Sequence, residues 1–266
     1  MTKSSVPRRG AGSRRILVAV VLMGVIFFLT RRTSRDDASR AFPASQDTAR
    51  YVPSGDEGLG ASIALLLDVS GSMAETAQGD ARPKFIVARE ALQAMLEATD
   101  SFAVKQPGFP INVGLYAFNG SVTRLVPVKP YNRAELQNAL ASSPEPKGST
   151  AIGDAMELAR GDLYRAGTIR KYILVVTDGE NTSGRSPRDV AREIAARSQG
   201  AVRQYFVAFD VDASRFDFLK EVKGEVLGAA NGIALRAGLD SIYRGKILAE
   251  SMNAGETLSP PIKKTP

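Results

Sequence analysis

The stretch Ile63-Ala64-Leu65-Leu66-Leu67-Asp68-Val69-Ser70-Gly71-Ser72-Met73 decides the fold of this chain. Five consecutive apolar residues, without the alternation of a half-exposed strand, predict a short strand covered on both faces. The run stops at Asp68, and the residues after it are small and polar. Ser70 and Ser72, at alternate positions, point the same way from an extended turn, and Gly71 lets the backbone bend tightly between them.

The same grammar recurs along the chain. Tyr172–Thr177 is a second apolar run that ends in Asp178-Gly179-Glu180, and Val202–Phe209 is a third. Helical spacing separates them. Pro83 opens a helix with Phe85, Ala88, Leu92 and Leu96 on one stripe, and residues 151–166 carry Ile152, Met156, Ala159 and Leu163 on one face. Arg133–Ala141, Pro187–Ser198 and Phe216–Val222 read as further helices, Ile233–Leu235 as an edge strand, and Leu239–Glu250 as a closing helix. Ile111–Phe118 and Val122–Val126 form a hairpin across Asn119-Gly120. Strands alternating with helices predict an α/β fold: a doubly wound, mostly parallel central sheet with one antiparallel edge strand and helices on both faces. Such sheets bind ligands beyond the carboxyl ends of their strands, at the topological switch point.

At those ends three loops converge. The first carries Asp68, Ser70 and Ser72. The second, Gly148-Ser149-Thr150-Ala151-Ile152-Gly153-Asp154, brings Thr150, and the third brings Asp178. Every one of these groups offers oxygen, the donor that hard cations prefer. Each has a structural reading when taken singly: Ser and Asp cap helices, Thr150 stands where an N-cap would with Asp154 as a first-turn acid, and Asp178-Gly179 makes a turn. Their conjunction, each at its own strand end, points to a metal site.

Composition narrows the chemistry further. The 266 residues include no His and no Cys. That excludes a Ser-His-Asp triad, a Cys-His dyad, an imidazole base, an ordinary zinc site and a disulfide framework.

With these residues in view, the chain resembles von Willebrand factor type A domains over about residues 59–250. The resemblance is carried by Leu65 through Met73, by Gly148 through Ala155, and by Val175-Val176-Thr177-Asp178-Gly179-Glu180. The family's usual Gly-Gly before the last strand stands here as Asn231-Gly232. The resemblance implies a metal-ion-dependent adhesion site. Ser70, Ser72 and Thr150 would ligate Mg²⁺ (or Mn²⁺ or Ca²⁺), with Asp68 and Asp178 binding it directly or through water. It further implies a non-enzymatic role, in which a partner protein supplies an Asp or Glu to complete the metal shell. Relatives act in adhesion or with ATPases, so a subunit working with an AAA ATPase is one alternative. Another is a Mg²⁺-dependent phosphatase or phosphotransferase using Asp68 or Asp178, for which the nearest lysine in sequence is Lys147.

The net charge of +7 belongs to the start of the chain. Residues 1–40 hold nine of the 35 Lys+Arg and two of the 28 Asp+Glu, leaving 26 of each in residues 41–266. A basic segment, 1–15, precedes fourteen apolar residues, 16–29, bracketed by Arg14-Arg15 and Arg31-Arg32. Although shorter than the about 20 residues of an ordinary span, the run is extended by snorkelling arginines and reads as an anchor over 16–30. A cleaved signal is the alternative. The flanking charges favour a single-pass protein with its domain on the extracytoplasmic side. Residues 31–58 read as a flexible linker and 251–266 as a disordered tail.

Two apparent motifs are set aside. Asp210 through Glu221 has calcium-loop spacing, but Arg215 stands where Gly is required, so it reads as a loop entering a helix. Arg185, Arg188, Arg192 and Arg197 recur around a helix that also carries Asp189 and Glu193 and read as a solvated face, not a nucleic-acid surface.

Overall fold

The computed structural model describes residues 57–250. Six strands make one sheet: β1 (Gly58–Asp68), β2 (Ile111–Phe118), β3 (Val122–Pro130), β4 (Thr168–Thr177), β5 (Val202–Phe209) and β6 (Glu225–Ala229). Their spatial order is β3-β2-β1-β4-β5-β6. β1 runs parallel to β2 and β4, β4 to β5, and β5 to β6, while β2 and β3 pair antiparallel. The helices are α1 (Lys84–Lys105), α2 (Arg133–Ala141), α3 (Ile152–Tyr164), α4 (Pro187–Ser198) and α5 (Gly232–Ile242), the last continued by a π-helical turn over Tyr243–Leu248. Short 3₁₀ segments span Gly71–Ala74 and Ala213–Val222. This is the α/β architecture expected from the alternation of apolar runs and helical stripes.

The apolar strands still use a period of two, with a hydrophobic layer on each side. Ile63, Leu65 and Leu67 of β1 pack into one core with Phe85, Leu92 and Leu96 of α1 and Leu235 and Leu239 of α5. Ala64 and Leu66 face the other way, into a core with Ile152, Met156 and Leu163 of α3 and Val190 and Ile194 of α4. Burying each large apolar side chain stabilises the fold by about 1.5–3 kcal/mol, so the central strands anchor both layers.

From β1 the chain winds outward in two directions, to β2 and β3 on one side and to β4, β5 and β6 on the other. The crevice between β1 and β4 is therefore the switch point, and Asp68 and Asp178 emerge at its rim.

Three expectations are corrected. Ile233–Leu235 is no strand: it lies in the first turns of α5, whose cap is Asn231, with Oδ1 accepting from Ala234 N at 2.9 Å. The last strand comes earlier, as β6, and ends before Asn231-Gly232. The closing helix accordingly begins at Gly232, not Leu239. The expected localisation, a single-pass membrane protein, is also overturned: no helix among the described residues is long and apolar enough to cross a membrane. The run at 16–29, the tail and all of the linker except its last two residues lie outside the described residues.

Candidate metal site

Asp68 closes β1 with both carboxylate oxygens engaged. Oδ1 accepts the Ser70 N–H at 2.7 Å, which curls the chain back as an Asx turn, and Oδ2 accepts the Thr177 hydroxyl at 2.5 Å. The 3₁₀ turn that follows is closed by Met73 N–H donating to Ser70 O and Glu75 N–H donating to Ser72 O. It folds Ser72 toward Ser70, leaving their hydroxyl oxygens 3.3 Å apart. Ser72 Oγ then donates to Asp178 Oδ1 at 2.7 Å. The first and third loops thus meet through side chains.

The second loop is fastened to both through its backbone. Gly71 N–H donates to Gly148 O and Lys147 N–H to Val69 O, at 3.0 and 2.9 Å. Thr150 N–H donates to Thr182 Oγ1, and Thr150 O accepts from the N–H groups of Thr182 and Ser183. Beneath it, Ala151 N–H donates to Asn119 O in the hairpin loop at 2.7 Å. Thr150 is not the N-cap of α3. Ala151 holds that position and Asp154 lies in the first turn, its Oδ1 accepting from Arg185 N at 2.9 Å. The Thr150 side chain is thereby released from capping. A Cβ at Gly179 would stand 3.7 Å from Ser72 Oγ and 4.0 Å from Thr150 Oγ1, so both hydroxyls border the space that this missing side chain leaves open.

All five expected residues therefore converge. Asp68, Ser70, Thr150 and Asp178 are buried and Ser72 is half-buried, which makes Ser72 the side of the cluster nearest solvent. Burial pushes the Asp68 carboxyl up to about 6, against the hydrogen bonds from Thr177 and Ser70 that pull it down. A desolvated carboxylate beside neutral hydroxyls is a place where positive charge is favoured.

Sequence reasoning missed two residues. Thr177 orients Asp68 and also takes part in the third loop, its Oγ1 accepting from Gly179 N–H at 3.2 Å. Lys84, not Lys147, is the lysine at the site. Its Nζ lies 3.1 Å from Asp178 Oδ2 and 3.4 Å from both Glu75 Oε2 and Asp210 Oδ2. Burial works against its charge, but the three carboxylates more than offset that and hold its pKa above the usual lysine value. The available signal was a cation at the first position of a helix, where the macrodipole disfavours it.

Asp212 caps the 3₁₀ helix Ala213–Val222, and Arg185, Arg188, Arg192 and Arg197 pair with Glu193 and Glu221 at the surface.

The donor set fits a hard divalent cation: oxygen only, from three loops, with one strongly desolvated carboxylate. Among the described residues no three carboxylates, histidines or cysteines gather to hold a metal, so any cation here would depend on the hydroxyls.

The family model of the von Willebrand factor type A domain matches residues 63–180, the segment that holds all three loops. No curated protein matches the chain. Among solved structures, the PilB minor pilin from Streptococcus sanguinis superposes with a TM-score of 0.60 at 15% identity, over 76% of this chain and 64% of that one. The chain thus spans just under two thirds of that pilin. BatB from Bacteroides thetaiotaomicron, described as a conserved hypothetical protein, gives a TM-score of 0.52 at 20% identity, over 73% of this chain and 100% of that one. Proximal thread matrix protein 1 from the mussel byssus, solved with a zinc-occupied MIDAS motif, gives 0.53 at 18% identity, over 74% of this chain and 47% of that one. These likenesses establish the fold, and with the family match they support a von Willebrand factor type A domain.

Proposed function

We propose that this chain is a von Willebrand factor type A protein-binding module, not an enzyme, whose adhesion site works through a divalent cation. The observation that carries the reading is the convergence on Ser72: its hydroxyl stands 3.3 Å from Ser70 Oγ and 2.7 Å from Asp178 Oδ1, at the open side of the cluster. Ser70, Ser72 and Thr150 would hold Mg²⁺ or a similar cation, with Asp68 and Asp178 balancing its charge directly or through water. Such a cation supplies a Lewis-acidic position that an Asp or Glu carboxylate of a partner protein fills.

The residues divide the work. Asp68, fixed by Ser70 and Thr177, provides buried negative charge. The hydroxyls supply neutral oxygens that leave a bound cation electron-poor. Gly179 keeps the approach free of a side chain. A phosphotransferase reading draws less support, because it needs a lysine free for phosphate and Lys84 is already engaged by three carboxylates.

The test is affinity capture by the full chain with and without EDTA, beside Asp68→Ala. A partner retained by the wild type and lost in both other conditions is expected. Retention of every partner after chelation would refute the reading, as would calorimetry showing no Mg²⁺ or Mn²⁺ uptake.

A further inference from the structure

Lys84 is out of place by ordinary rules. It is the first residue of α1, where the helix N-terminus repels positive charge, and it is only 6% exposed. Its ammonium reaches carboxylates from three segments: Asp178 after β4, Glu75 after the 3₁₀ turn, and Asp210 after β5. Asp178 is split between two demands. Its Oδ1 accepts from Ser72, on the side of the hydroxyl cluster, and its Oδ2 accepts from Lys84. Buried ion pairs rarely return more than they lose in desolvation, so packing alone does not account for a charged residue here.

We propose that Lys84 is a built-in counter-cation that sets the charge of the metal site, weakening cation binding so that a bound cation remains hungry for an acidic ligand. The inference rests on the cation-site reading above. Asp68 and Asp178 carry two negative charges and would fully neutralise a divalent ion. With Lys84 added, that inner set with a divalent ion bound is left at +1. Glu75 and Asp210 touch the ammonium, and however strongly solvent screens them, removing Lys84 makes the site one unit more negative. Lys84 is a positioning residue that does not ligate the cation: it holds Asp178 Oδ2 and contributes its charge from behind that carboxylate.

The experiment titrates the full chain with Mn²⁺ alone, following free Mn²⁺ by electron paramagnetic resonance, in wild type, Lys84→Met, Lys84→Arg, Asp210→Asn and Asp68→Ala. Lys84→Met should bind Mn²⁺ about tenfold more tightly, as loss of a nearby positive charge at intermediate dielectric requires. Lys84→Arg should stay near the wild type. Asp210→Asn, which leaves the ammonium less neutralised, should bind severalfold more weakly. If Lys84→Met is folded only when Mn²⁺ is present, the metal is replacing the lost charge, which supports the proposal. Lys84→Met and Asp210→Asn both binding like the wild type would overturn it, as would weaker binding by folded Lys84→Met. If the wild type binds Mn²⁺, Asp68→Ala does not, and the Lys84 and Asp210 variants are unchanged, only the role of Lys84 falls. If neither the wild type nor Lys84→Met binds, the cation site falls with it.

Discussion

The Asp68 carboxylate and the Thr177 hydroxyl meet at 2.5 Å across the carboxyl ends of two adjacent parallel strands. This bond fixes a fully buried charge at the switch point of the sheet. Removing the donor while keeping the shape should therefore be felt directly. Thr177→Val is expected to lower stability by about 1–3 kcal/mol in metal-free buffer, the cost of stripping a buried group of its partner. Urea unfolding measures this, and Thr177→Ser should recover most of the loss.

The same carboxylate predicts a pH profile. Asp68 titrates at about 6 in the fold against 3.8 in the open chain, so the folded state holds the proton more tightly. Its contribution to stability is fully present below pH 3.8 and is lost as the pH rises through about 6. The gap of roughly 2 units corresponds to about 3 kcal/mol. EDTA-treated wild type should show this decline between pH 4 and 6, Asp68→Asn should lack it, and Mg²⁺ should reverse it. Parallel profiles for the two proteins would be inconsistent with a desolvated Asp68.

Gly153 in the first turn of α3 has no room for a side chain. A Cβ there would stand 2.1 Å from the Arg185 carbonyl oxygen. Gly153→Ala must push apart α3 and the 182–186 loop, costing about 1–3 kcal/mol or more. Because Thr182 and Ser183 of that loop are bonded to the Thr150 backbone, Mn²⁺ affinity should fall together with the melting temperature. Gly58→Ala, with nothing within 4 Å of its new Cβ, should alter stability by less than about 0.5 kcal/mol.

At alkaline pH the core should respond through Tyr243. Burial pushes its phenol up to about 12, while its bond with Thr99 Oγ1 at 2.6 Å pulls the other way. The folded value exceeds the ordinary 10, so this contribution holds below pH 10 and disappears as the pH climbs toward 12. Absorbance at 295 nm should show Tyr243 ionising only with unfolding. Tyr243→Phe should lose that component and cost about 1 kcal/mol at neutral pH.

Much of this was legible in the sequence because central parallel strands are apolar on both faces and stop sharply at polar turns. Ile63–Leu67, Tyr172–Thr177 and Val202–Phe209 were all readable in that way, and so were the three loops after them. Where the rule weakens, reading failed. β6 is five residues with a charge and a glycine, Glu225-Val226-Leu227-Gly228-Ala229, so it carries little apolar signal. Ile233-Ala234-Leu235 imitated a strand, although Leu235, Leu239 and Ile242 recur at helical spacing and are buried. The convergence of Asp68, Ser70, Ser72, Thr150 and Asp178 followed from motif order. Lys84 did not, because Asp178 lies 94 positions away and Asp210 still farther, and only the sheet order brings them to it.

The outer strand β3 contains Pro127 and Pro130 and slips register against β2 in two places. Proline offers no amide donor and an irregular ladder presents no even row of acceptors, so this border makes a poor template for a foreign strand. Copies of the protein crowded together would not knit their sheets into a fibre along that side. In the function proposed above, contact with a partner would run through the rim of loops, by way of an ion and a matching acid, and the β3 border would offer no indiscriminate backbone alternative to it.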